Sequence, residues 1–139
     1  MANKIKAVFD TNIYISAIIF GGNPRQCLEL ARKKEIELFS SKSILLELSE
    51  KLQVKFKWDK KEVEEVIRGL GYFVTLVEPK TKINLIKEKA DNRILEVAIE
   101  SRADFIVSGD KKHLLSLKKY KNIPIVSSKE FLDIFFRKN

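Results

Sequence analysis

Four carboxylates in this chain stand where ordinary surface acids do not. Asp10 follows the apolar run 5–9, Asp110 follows the apolar run 105–107, Asp91 opens a helical pattern, and Glu47 lies beside the stripe of Ile44, Leu45, Leu48 and Leu52. Glu62, Glu64, Glu65, Glu88, Glu96 and Glu100 read instead as helix-face acids. Carboxylates gathered in one place raise one another's pKa and oppose ionisation. Hard divalent cations relieve that conflict, because Mg2+ and Mn2+ prefer carboxylate oxygens. One or two such ions would activate water, hold a phosphodiester and stabilise a leaving oxygen. Taken alone, Asp10 reads as a helix cap or turn residue; its chemical meaning comes from the other three acids. Cys27 and His113 are the only residues of their types, which leaves no zinc-type ligand set. Cys27 reads as core, and His113 as packed beside Leu114 or facing solvent, with contact to a phosphate as its functional alternative.

The elements that must position these acids follow from hydrophobic period and caps. Residues 5–9 form a short buried strand, and Asn12 is placed to cap a helix through Ile13, Tyr14, Ile15, Ala17 and Ile18. Gly21-Gly22 breaks that pattern, and Asn23-Pro24 opens a second helix ending near Lys34. A strand is expected over 36–39, then a helix opened within 40–43. Asp59 and Glu62 have capping-box spacing for a helix over 59–70, which Gly71 ends. A strand over 72–77 follows. Residues 80–90 are compatible with a short helix or an ordered loop. Asp91 then starts a helix carrying Ile94, Leu95, Ala98 and Ile99. Strands at 105–107 and 123–126 flank a Lys-rich turn and short helix. Ser127 and Glu130 cap a last helix that buries Phe131, Leu132, Phe135 and Phe136. The alternation predicts an α/β fold: a three-layer α/β/α sandwich with a mainly parallel sheet of about five strands, in one domain over 1–139. On such a sheet, strand ends and the helix starts after them share one edge, so all four acids face one cleft.

Composition narrows the setting. The 139 residues are 45% hydrophobic and 33% charged, which describes a globular chain rather than a disordered one. The apolar-leaning run 13–20 is far shorter than the ~20 residues of a membrane span. The amino end has no signal-peptide pattern, and one cysteine precludes an internal disulfide, so a cytoplasmic setting is expected. A net charge of +8 and a pI of about 9.5 favour a polyanionic partner, nucleic acid before membrane. Lys111, Lys112, Lys118, Lys119 and Lys121 surround Asp110, where they would attract phosphates without reading bases. Trp58 and Tyr14 have the chemistry to stack on bases, although packing in the core or an interface is the commoner use of such rings.

The motifs also carry a resemblance. Asp10-Thr11-Asn12 after an apolar strand resembles the opening motif of the PIN domain, the nuclease fold of VapC-type toxins. Residues 90–98, Ala-Asp-Asn-Arg-Ile-Leu-Glu-Val-Ala, resemble that family's third-acid motif, and residues 103–110 followed by Leu114-Leu115 its closing motif. Residues 41–52 match the weaker second motif and supply Glu47. The resemblance implies a Mg2+- or Mn2+-dependent endoribonuclease site in which Asp10, Glu47, Asp91 and Asp110 match the four acids. Asn12 and Ser108 match the polar supports. It also implies an RNA substrate, a cognate antitoxin and a homodimer. Two departures stand out: Lys112 occupies a position that is acidic in many relatives, and Lys89-Ala90 replaces a more acidic run. They motivate an alternative, a non-catalytic module binding RNA or protein through the same fold. An aspartyl phosphotransferase ranks last, since it would want an acid where Asn12 stands.

Overall fold

The computed structural model describes residues 3–138, with Lys138 described in its backbone alone. Strand β1 (Lys6–Phe9) lies near the middle of a six-stranded sheet. With β2 (Glu37–Ser40), β3 (Val74–Leu76), β4 (Phe105–Val107), β5 (Lys119–Tyr120) and β6 (Ile123–Val126), the spatial order is β3-β2-β1-β4-β6-β5. Every pairing is parallel except β5 with β6. Ala7, Val8 and Phe9 are wholly buried, as expected of a strand covered on both faces.

The connections carry helices α1 (Thr11–Ile15), α2 (Gly22–Arg32), α3 (Lys42–Val54), α4 (Lys60–Leu70), α5 (Lys89–Ser101) and α6 (Leu114–Leu117), and α7 (Ser128–Lys138) follows the last strand. Helix α5, on the return from β3 to β4, packs on β1 and β2 and against α3, while α2 packs against α7. The Phe9 ring meets Tyr14 of α1 and Phe131 of α7 at centroid distances of 5.9 and 6.3 Å, and Phe105 meets Phe131 at 5.7 Å. Removing the buried Phe131 ring would cost about 3–5 kcal/mol. Between α1 and α2 the chain widens into a π-helical turn, Ser16–Phe20. Arg25 braces it by donating from Nε to the Ala17 carbonyl (2.8 Å), and Gly21, at φ 86°, lets the chain leave the turn.

Strand order reverses at β1: the chain builds β2 and β3 to one side, and β4 and β6 to the other. In parallel sheets, ligands settle outside the carboxyl ends of strands at such a reversal. Asp10 follows β1 and Ser108 follows β4, directly at this point.

Several local expectations are corrected. The first helix is capped by Asp10, whose carboxylate accepts from the Ile13 amide, and not by Asn12, which is exposed in the first turn. Both residue types cap well, and the acid two positions earlier wins. The sheet has a sixth strand: Lys119–Tyr120 folds back on Ile123–Pro124 through Lys121 and Asn122, with φ of 47° and 69°. Two left-handed residues suit a tight hairpin, but a Lys-Asn pair announces it weakly. Helix α5 starts at Lys89, two residues before Asp91, and residues 80–88 form an ordered loop. Phe136 is exposed rather than buried, whereas Phe131, Leu132 and Phe135 are buried as expected. Both capping boxes form: Asp59 with Glu62, and Ser127 with Glu130. Cys27 is fully buried.

Candidate functional site

Asp10 is the deepest of the four acids, 4% exposed. Its amide donates to the Val107 carbonyl (3.0 Å), binding the end of β1 to the end of β4. Its Oδ1 accepts from the Ile13 amide at 2.9 Å, and its Oδ2 from the Ser108 hydroxyl at 2.5 Å and the Gly109 amide at 3.3 Å. Burial raises its pKa against the pull of those three donors, and the Asp110 charge adds to the rise. Ser108 is wholly buried, and its Oγ also accepts from the Asp110 amide (3.0 Å). One hydroxyl thus couples the two strand-end acids.

Asp110 turns the next few residues around itself. Its Oδ1 accepts from the amides of Lys112 (3.0 Å) and His113 (3.2 Å), while Oδ2 meets His113 Nδ1 at 2.9 Å. Burial pushes its pKa up, but the donors from His113 and Lys112 outweigh burial and hold it below the ordinary carboxylate value. The hydrogen bond to Asp110 likewise raises the His113 pKa. His113 therefore belongs to the acid cluster and does not simply pack beside Leu114. A signal was present in the three-residue spacing from Asp110.

Asp91, in the first turn of α5, presents Oδ2 to the same place, 3.9 Å from His113 Nδ1. Among the described residues that buried oxygen has no hydrogen-bond partner. Burial, then the Asp110 charge, pushes the Asp91 pKa up to about 6. Such an atom calls for a proton or a cation. Asp91, Asp110 and His113 offer ligand atoms within 4.8 Å of one another, a donor set that fits a divalent ion.

Glu47 enters from α3 but is held on the opposite wall. Its Oε1 accepts from the Thr11 hydroxyl, and its Oε2 lies 3.9 Å from Lys51 Nζ, one helical turn on. Thr11, 4% exposed, was not singled out from the sequence, and no spacing rule joins residues 36 positions apart. Lys51 was foreseeable from its i,i+4 relation to Glu47. All four acids line one open cleft of about 180 Å³, together with Thr11, Asn12, Lys51, Glu88 and His113.

Two acids assigned to plain helix faces are elsewhere. Glu88 lines the cleft immediately upstream of α5, so the thinning of acidity at Lys89-Ala90 is partly offset. Glu96 is 6% exposed and accepts from the Ile83 amide (2.9 Å) and Arg93 (2.8 Å). Asn92 clasps the same loop by accepting from the Ile86 amide (2.8 Å) and donating to its carbonyl (2.6 Å). These bonds tie residues 80–88 to α5 and steady the helix start that carries Asp91. Asn12 stands exposed on the cleft rim, while Thr11 and Ser108 make the contacts that orient carboxylates. Lys111, Lys112, Lys118, Lys119 and Lys121 are all exposed beside Asp110 and the hairpin. Tyr14 is wholly buried, out of reach of any base, and Trp58 is partly buried against the core.

With this geometry in place, the chain matches the PIN domain over residues 6–112. It belongs to the PIN-domain family. This PIN domain is 34% identical to an uncharacterised protein of Methanocaldococcus jannaschii over 146 aligned residues, spanning 95% of the chain and 92% of that relative. Its fold is similar to a chain in the crystal structure of VapBC2 from Rickettsia felis bound to a DNA fragment from their promoter, with a TM-score of 0.60 and 20% identity. That likeness covers 87% of this chain and 97% of the other. Among the described residues no helix is long and apolar enough to cross a membrane.

Proposed function

We propose that this PIN domain is a metal-dependent endoribonuclease, serving as the toxin of a toxin–antitoxin pair. The observation that carries the reading is the convergence of Asp10, Glu47, Asp91 and Asp110 on one cleft at the strand-order reversal. Asp91 and Asp110 would hold Mg2+ or Mn2+, with Asp10 contributing through the lone pair that Oδ1 retains. A cation there supplies Lewis-acid polarisation of a phosphodiester and lowers the pKa of water. The chain's own residues do the rest. Asp10 and Ser108 lock the turn that aims Asp110, and Thr11 with Lys51 sets the angle of Glu47. The exposed lysines beside Asp110 draw in the RNA backbone, and their lack of base-reading geometry leaves sequence choice to RNA shape.

The toxin role is supported by the family membership and by fold likeness to a component of a VapBC complex. It brings with it an antitoxin partner, a cytoplasmic setting and a homodimer. A non-catalytic RNA- or protein-binding module is the second reading, favoured by Lys112 and by the three donors that already occupy Asp10. Single-stranded RNA incubated with the purified chain and Mn2+ or Mg2+, beside an Asp91→Asn variant, separates the two. Metal-dependent cleavage lost in the variant is expected. Tight RNA binding without cleavage would instead favour the binding module.

A further inference from the structure

We infer that His113 is a ligand of the cleft's cation and tilts the site toward borderline divalent metals, Mn2+ first, over Mg2+. The inference rests on the metal-dependent reading above and concerns which donors converge on one point. Asp10 receives three protein donors, and Glu47 is engaged by Thr11 on one oxygen and by the Lys51 ammonium near the other. Among the described residues Asp91 Oδ2 is buried without a hydrogen-bond partner, and Asp110 Oδ2 and His113 Nδ1, bonded to each other, lie beside it. These three atoms surround one point, with Nδ1 at 2.9 Å from Asp110 and 3.9 Å from Asp91. The converging donor set is two carboxylate oxygens and one imidazole nitrogen.

That composition matters chemically. Mg2+ is hard, keeps its waters and takes oxygen ligands in near-ideal octahedra. Imidazole nitrogen suits first-row transition ions, and a mixed nitrogen–oxygen site binds them above Mg2+. In the cation-free chain the same Nδ1 donates to Asp110, so coordination replaces that proton and opens no new space.

Calorimetric titration of the full chain with MnCl2 and, separately, MgCl2 tests this against His113→Gln. Loss of the imidazole should weaken Mn2+ binding about tenfold or more and Mg2+ binding less than about threefold, collapsing the preference. Equal losses for both ions would make His113 a mere support for Asp110, and no loss would remove it from the site; either result overturns the inference. If neither ion binds the unsubstituted chain, the metal-dependent function itself fails, which is a separate outcome. A second readout needs no variant. His113 is the only histidine, so a 15N spectrum shows one imidazole. Zn2+ should shift Nδ1 more than Nε2, and a shift confined to Nε2, or absent, would contradict the assignment.

Discussion

The two walls of the cleft are built by opposite rules. On the wall at β1 and α3, Asp10 is buried and met by a backbone cap, a hydroxyl and a second amide, and Glu47 is held by Thr11 and Lys51. On the wall at α5 and the turn after β4, Asp91 keeps an unpartnered oxygen, and Asp110 and His113 lean on each other. The first wall uses its carboxylates mainly for shape, and the second leaves the Asp91 oxygen for something that arrives from outside. Burial of an acid therefore does not by itself mark a ligand. A buried oxygen that no protein donor meets, as on Asp91, is what marks the acceptor.

Substitutions on the two walls should break apart along that line. The largest effect expected is on catalysis: Asp91→Asn should lower RNA cleavage by about a thousandfold, read as single-turnover rates at saturating Mn2+. Retained cleavage would place the chemistry on the other wall. Next, Asp10→Ala removes a helix cap and strands the Ser108 hydroxyl and Gly109 amide, at a cost of about 3 kcal/mol in urea unfolding. A smaller loss would mean that relief of like charge outweighs the lost cap.

Asp91→Asn should act in the opposite direction on the metal-free fold, stabilising it by about 1 kcal/mol at pH 8 after discounting for solvent screening. The sign follows from the Asp91 pKa, which rises from 3.8 in the unfolded chain to about 6 in the fold. Below the lower value both states are protonated and the variant gains nothing. The penalty on the unsubstituted chain grows as pH rises between the two values, and holds above them. Melting curves of both proteins from pH 3.5 to 8 would show the gap opening across that window, and a constant gap would contradict it. The smallest effect belongs to the rim. Lys118→Ala or Lys119→Ala should weaken RNA binding by less than about threefold each and flatten its salt dependence, measured by fluorescence anisotropy.

The alternation of strands and helices was legible because buried strands and amphipathic helices carry different periods, and Asp59/Glu62 and Ser127/Glu130 declared their caps by spacing. The convergence of four acids followed from topology, since strand ends in a parallel sheet share an edge. What escaped were features set by tertiary contact. Thr11 and Glu47 meet across 36 residues, and Glu96 is buried only because the loop at 80–88 folds over α5. The loop has no periodic signature, so its amides at Ile83 and Ile86 could not be matched in advance to Glu96 and Asn92. His113 escaped for a different reason: its three-residue spacing from Asp110 hinted at a link, but the backbone of the turn between them had to bring the ring back onto the carboxylate. Asp10 and Asn12 were exchanged as caps because the residue types are near equivalents and only the strand end decides between them.

Anomalous diffraction from crystals of the full chain soaked in Mn2+ addresses the contrast between the walls most directly. One peak is expected where Asp91 Oδ2, Asp110 Oδ2 and His113 Nδ1 converge. A peak held only by Asp10 and Glu47, with the α5 wall empty, would contradict the division of the cleft into a frame and an acceptor.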